Sequence, residues 1–284
     1  MINKTINYTE DGRVHLQTYI PDTMTPDDPP RPALIACPGG AWTWHAPNEG
    51  EPVALTFVKE GYAGFVLYYS VGEYSAFPNP LVEIGWAIKT IREHAEEWNI
   101  DPHKIAISGF SAGASVCSMS ATQWKNPEVA AILGTDPEML RPDAAVLAYG
   151  CNNLSTIFDA PAEDDLEIPE PGKITADRTP QIDVVNYADA DTSPIFFYHC
   201  RFDKLVPVRN TWLLAEKLDQ YRIPFEMHIF QTGKHGMSVN NRLTQAVTPI
   251  DNSVTQWVPL CVTWLDNVFE NRASTPPSAS AGSQ

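Results

Sequence analysis

The chain of 284 residues, 43% of them apolar, is long enough to bury a sizeable core without disulfide staples. Its formal net charge of −16 repels phosphate backbones and anionic lipids, which sets nucleic-acid and membrane partners aside. No apolar run reaches the roughly 18 residues that would span a bilayer, and the polar start from Met1 to Glu10 lacks the apolar stretch of a secretory leader, so the expected location is the cytoplasm.

The first element in the chain is Arg13 to Ile20, which alternates with period two and reads as an antiparallel strand with one buried face. A proline-rich loop from Pro21 to Pro32 leads to Ala33–Cys37, a continuous apolar run of the kind that fits a strand buried on both faces of a parallel sheet. Pro52 to Glu60 reads as a helix and Ala63 to Tyr69 as a strand. Between Leu81 and Trp98 the apolar residues recur at spacings of three and four, one face of an amphipathic helix, which Pro102 punctuates. Lys104 to Ser108 is the next strand and Ala112 to Trp124 the next helix. Asp143–Tyr149, Ile195–His199 and Phe225–Phe230 are further strands. A helix through Trp212, Ala215 and Leu218 lies between the last two, and a final helix covers about Val254 to Phe269. This alternation predicts a mostly parallel, doubly wound sheet with helices on both faces. One stretch departs from it: residues 152–192 form a loop-rich, acidic, proline-rich insert, either a lid or a disordered segment. The domain is expected to cover residues 1–272, with a low-complexity, disordered tail at 273–284.

Gly109-Phe110-Ser111-Ala112-Gly113 has the pattern G-x-S-x-G between a strand and a helix. Such a sharp turn lifts a serine hydroxyl clear of the sheet, and side chains at the two glycines would collide with neighbouring elements. The competing reading is an idle serine in a glycine-rich turn. A hydroxyl is a weak nucleophile until a base takes its proton, and seven histidines compete for that role. His15, His94, His103, His199 and His228 lie within or beside strands and helices, the last two inside apolar runs where a hydrogen-bonded core imidazole is expected. His45 is not set aside by position. His235 lies in the loop after the last strand, where the chain order Ser, acid, His requires the base. Asp203 follows Ile195–Cys200 and would hold the imidazole in its productive tautomer; Asp189 and Asp191 precede that strand. Backbone N–H groups of Ala112 and of Gly40 and Ala41 are the expected oxyanion donors. Gly39, Trp42 and Trp44 are candidate substrate contacts, although the two tryptophans could equally pack on the insert. The five cysteines are odd in number and contain no C-x-x-C pair, so neither a disulfide framework nor a zinc knuckle is expected, and no cofactor is called for. Cys37, Cys151 and Cys200 fall at strand ends, near a pocket or in the core.

Cys37-Pro38-Gly39-Gly40-Ala41-Trp42, Asn48-Glu49-Gly50-Glu51-Pro52-Val53-Ala54, Gly109 to Gly113, Asp203 and Lys234-His235-Gly236 together resemble bacterial carboxylesterases of the α/β-hydrolase fold. The resemblance is to the acetyl-esterase, acetyl-xylan-esterase and feruloyl-esterase-like group, related to hormone-sensitive-lipase-like esterases, and covers about residues 13–270. It implies hydrolysis of short acyl esters, of acetylated carbohydrates or small aryl esters, without a metal. Pro38 stands where the group usually has histidine and Ala41 where it has a third glycine, so the φ angle at residue 41 must suit an alanine. The alternatives are a small peptidase of the prolyl-oligopeptidase type and a non-catalytic binding protein of the same fold. The expected partner is a small-molecule ester; a homo-oligomer is compatible with the sequence.

Overall fold

The computed structural model describes residues 1–158 and 183–274. Eight strands form one sheet in the order β1-β2-β4-β3-β5-β6-β7-β8: β1 (Thr5–Asn7), β2 (His15–Tyr19), β3 (Arg31–Cys37), β4 (Ala63–Tyr68), β5 (Ile100–Phe110), β6 (Ala144–Ala148), β7 (Ile195–Cys200) and β8 (Phe225–Phe230). The β1–β2 and β2–β4 pairs are antiparallel and all others parallel. This is the mostly parallel sheet with helices on both faces that the alternation of elements predicts, and the α/β-hydrolase arrangement that the resemblance implies.

The helices are α1 (Glu51–Lys59), α2 (Asn79–Glu93), α3 (Ala112–Gln123), α4 (Pro127–Leu133), a short α5 (Ser155–Phe158), α6 (Arg209–Gln220) and α7 (Trp257–Ser274). Strand residues alternate between two buried clusters, as period-two geometry demands. Ile35, Phe65, Ile107, Leu147 and Phe197 pack under α2, α3 and α6. Leu34, Val66, Ala106, Val146 and Phe196 pack under α1 and α7. Both faces being covered explains why the central strands read as continuous apolar runs.

Two expectations shift. The helix expected to reach Trp98 stops at Glu93. The chain then turns through Trp98 N–H to His94 O at 3.0 Å and Ile100 N–H to Ala95 O at 2.8 Å, with Asn99 at φ 51°. Ala95 and Trp98 remain buried, so the apolar spacing outlasts the helix. At the chain's end, a short turn over Val254–Gln256 precedes α7, which runs to Ser274. Of the insert, residues 159–182 lie outside the described residues, as does the tail from 275. Among the described residues no helix is long and apolar enough to cross a membrane.

Candidate active site

The turn from β5 into α3 holds Ser111 at φ 52° and ψ −118°, a conformation costly for any residue with a Cβ and typical of strain kept at reacting groups. Its N–H donates to Ala148 O of β6 at 3.0 Å, and its carbonyl accepts from Ala114 N at 3.0 Å, so the turn is pinned at both ends. The flanking glycines are a matter of space: a Cβ at Gly109 would lie 2.5 Å from Ala114 Cα, and one at Gly113 would lie 2.6 Å from the Pro38 carbonyl.

Beside this turn the chain leaves β3 through Pro38–Ala46. Gly40 sits at φ 125°, followed by Ala41 at φ 52° and Trp42 at φ 58°. Two consecutive non-glycine residues in the left-handed region cost roughly 1–2 kcal/mol each. The Gly40 carbonyl stabilises the bend by accepting from Thr43 N at 2.9 Å and Trp44 N at 3.3 Å. Alanine is thus accommodated at position 41 in the conformation a glycine would favour. Gly40, Ala41 and Ala112 line the cavity over Ser111. Among the described residues their N–H groups have no protein acceptor, which is the condition donors must meet to receive a developing oxyanion.

The loop after β8 brings His235 over the serine: Nε2 lies 2.8 Å from Ser111 Oγ, and Nδ1 lies 2.7 Å from Asp203 Oδ2. Asp203 is oriented by a division of labour between its oxygens. Oδ1 accepts the N–H groups of Leu205 at 2.8 Å and Val206 at 2.9 Å, which leaves Oδ2 for the imidazole. Burial alone would raise the carboxyl's pKa, but hydrogen bonds and charge from His199 and His235 outweigh it and hold it well below the usual carboxylate range. An ionised carboxylate only accepts, so His235 Nδ1 carries the proton it donates, and Nε2 is left to accept from the serine hydroxyl. Asp203 thus closes the turn after β7 through one oxygen and holds the His235 ring through the other.

The other histidines go elsewhere. His199 is fully buried behind Asp203, with Nε2 2.9 Å from Val206 O and 3.4 Å from Asp203 Oδ2, and Nδ1 2.9 Å from Thr211 Oγ1. His45 packs edge-on to Tyr68 and Tyr69, and burial lowers its pKa to about 4. Asp189 and Asp191 pair with Lys125 at 2.8 and 2.5 Å, away from Ser111.

The cavity measures about 370 Å³, near the lower end of the roughly 300–1,000 Å³ common for small-molecule sites. Trp42 and Trp44 both line it; Trp42 is 4% exposed and Trp44 55%, so one is wall and the other rim. Gly39, expected as a substrate contact, is not among the lining residues; its N–H is bound to the buried Glu49 carboxylate at 2.8 Å. Sequence reasoning did not single out Leu154, Ile157, Leu205, Val206 and Val247, which give the cavity its apolar lining. Lys234 is also at the lining. Of the strand-end cysteines, Cys151 reaches the cavity, whereas Cys37 and Cys200 are buried in the core. Among the described residues no cluster of three metal-ligating side chains occurs.

A family model described as BD-FAE matches residues 16–218. Endo-1,4-beta-xylanase B of Butyrivibrio fibrisolvens is 32% identical over 233 residues, 76% of this chain and 34% of that protein. An acetylxylan esterase of Xylanibacter ruminicola is 26% identical over 146 residues, 51% of this chain and 27% of that one. The chain thus spans between about a quarter and a third of the length of these curated relatives. Among solved structures, an acetyl ester-xyloside bifunctional hydrolase from Caldicellulosiruptor lactoaceticus superposes with a TM-score of 0.72 at 29% identity, covering 94% of this chain and 96% of that one. The chain belongs to the BD-FAE family of α/β hydrolases.

Proposed function

We propose that this protein is a serine carboxylesterase acting on short-chain acyl esters, acetyl esters foremost. The observation that carries the reading is the continuous run from Asp203 through His235 to Ser111, at 2.7 and 2.8 Å, ending in a small apolar cavity beside unengaged N–H groups. In the first step His235 Nε2 takes the Ser111 proton as Oγ attacks the ester carbonyl. The oxyanion is held by the N–H groups of Gly40, Ala41 and Ala112. Collapse expels the alcohol, which leaves with the proton from His235. Water then attacks the acyl-serine with His235 again as base, releasing the acid and restoring Ser111.

The acetylxylan esterase and the acetyl ester-xyloside hydrolase among the similar proteins support acetylated carbohydrates as the natural substrate class. The exposed Trp44 at the rim offers a flat apolar face for a sugar or aryl leaving group. The test is a kcat/KM series over p-nitrophenyl esters from acetate to octanoate, with an aminoacyl p-nitroanilide alongside. Acetate to butyrate should be fastest, with a steep fall at longer chains. Faster cleavage of the anilide than of the acetate would transfer the reading to a peptidase.

A further inference from the structure

Glu49 takes no part in the proton path above, yet it is 3% exposed beside Ser111, in the turn Pro47–Glu49 that precedes α1. Its two carboxylate oxygens are engaged from opposite sides. Oε2 accepts the Gly39 N–H at 2.8 Å, and Oε1 accepts the Tyr149 hydroxyl at 2.7 Å. The same phenol oxygen accepts the Ser238 N–H at 2.9 Å, and the Tyr149 ring stands edge-on to the His235 imidazole with centroids 4.9 Å apart. One buried carboxylate therefore connects the loop that carries Gly40 and Ala41 to the loop that carries His235. Asn48 adds a second tie between the same segments: its Nδ2 donates to Gly236 O at 3.2 Å, and its carbonyl accepts the Ser238 hydroxyl. Gly39 is the pivot. A Cβ there would lie 2.8 Å from Glu49 Oε2 and 2.8 Å from Ser111 Cβ.

The hydrogen-bond pattern is that of the ionised form, because both oxygens only accept. Burial raises the Glu49 pKa, opposed by the bonds from Tyr149 and Gly39 and by the charge of His235. The titratable groups facing it are Tyr149, Tyr69, Tyr198 and His235. Burial drives the three phenols well above their usual range, so they stay neutral. The imidazolium that forms when His235 takes the serine proton is thus the charge Glu49 acts on, in addition to Asp203.

We propose that Glu49 is a positioning residue for the acyl transfer: through Gly39 and Tyr149 it holds the oxyanion loop and the His235 loop in register across Ser111, and its negative charge favours the protonated imidazole. The inference rests on the esterase reading of this site. It is tested on the full chain with Glu49→Gln and Tyr149→Phe, assayed on p-nitrophenyl acetate across pH. Both variants should lose roughly 10- to 100-fold in kcat, the scale of a misplaced catalytic group, with KM little changed. In Glu49→Gln the acid limb of kcat/KM should move to lower pH, because the imidazolium loses an anion. In Tyr149→Phe, which keeps the Glu49 side chain but removes one of the bonds that hold its pKa down, the limb should move less than in Glu49→Gln. Folded variants with wild-type kcat, or a Glu49→Gln variant with an unmoved limb, would overturn the proposal. Should Glu49→Gln fail to fold, kcat of Tyr149→Phe decides alone. The underlying reading fails separately, and visibly, if Ser111→Ala retains wild-type turnover; Ser111-dependent hydrolysis untouched by either variant removes only the role of Glu49.

Discussion

Asp203 is confined by four groups: the backbone N–H groups of Leu205 and Val206 on one oxygen, His235 and the more distant His199 on the other. Asp203→Asn would keep most of this shape but present an amide that can donate toward Nδ1, favouring the wrong tautomer. A fall in kcat of about 10⁴-fold is the expected outcome, read from steady-state rates on p-nitrophenyl acetate. Because its pKa is lowered in the fold, Asp203 contributes stability that is present above the ordinary Asp value and lost as pH falls toward its folded value. His45 carries the larger consequence at mild acidity. Its folded pKa of about 4 lies below the ordinary histidine value of 6.5, so the unfolded chain takes up a proton that the folded one refuses. Stability should therefore drop as pH falls from 6.5 toward 4. In His45→Gln the loss of urea midpoint between pH 8 and pH 5 should be smaller than in the wild type; an equal loss would show that His45 is not the group responsible. Ser111, Asp203 and His235 were legible in the sequence because each falls at a strand end in a fixed chain order. Glu49 stands in the segment Asn48 to Ala54 that carries the resemblance, but its link to Tyr149 was not legible, because it depends on a phenol bridging positions 100 residues apart.

Elements were legible where burial is two-sided or periodic. β3 to β8 were each anticipated from apolar runs, and α2 from its three-and-four spacing. β1, only 3 residues long and mostly exposed, carries no such signal; antiparallel pairing with β2 alone defines it. α4 is 7 residues long, too short for periodicity to show. Its ends nonetheless follow capping rules: Asn126 Oδ1 accepts from Glu128 N at 2.9 Å, Pro127 begins the first turn, and Gly134 closes it at φ 58°. The most sensitive junction between elements is Gly113, where α3 meets the end of β3 and an added Cβ would collide with the carbonyls of Cys37 and Pro38. Gly113→Ala should destabilise by about 1–3 kcal/mol or more through forced repacking and should lower kcat by tilting Ser111. Urea denaturation with parallel kinetics checks this, and an unchanged midpoint would contradict it. At the other face α7 anchors the histidine loop: Trp257 is fully buried, stacks on Tyr198 with centroids 4.7 Å apart, and donates its indole N–H to Ser238 O at 3.0 Å.

Over the whole molecule, a net charge of −16 means that self-repulsion opposes compactness. Much of it is exposed and therefore open to screening, with a Debye length of about 10 Å at 0.1 M salt. The melting temperature at pH 8 should rise as sodium chloride goes from about 10 mM to about 300 mM, the range over which that length contracts; a fall in scanning calorimetry would show that attractive pairs dominate instead. The same molecule brings Ser111, His235 and Asp203 together from segments that are distant in sequence, at the end of the sheet where β3, β5, β7 and β8 all terminate, and the proposed function makes the Ser111 hydroxyl the nucleophile. The most direct measurement is kcat/KM of Ser111→Ala on p-nitrophenyl acetate, paired with mass spectrometry of the wild type after reaction with a fluorophosphonate. The expected result is a loss of at least about 10⁴-fold and a single adduct on the peptide bearing Ser111. A variant within tenfold of wild type, or an adduct on another residue with Ser111 unmodified, would contradict it.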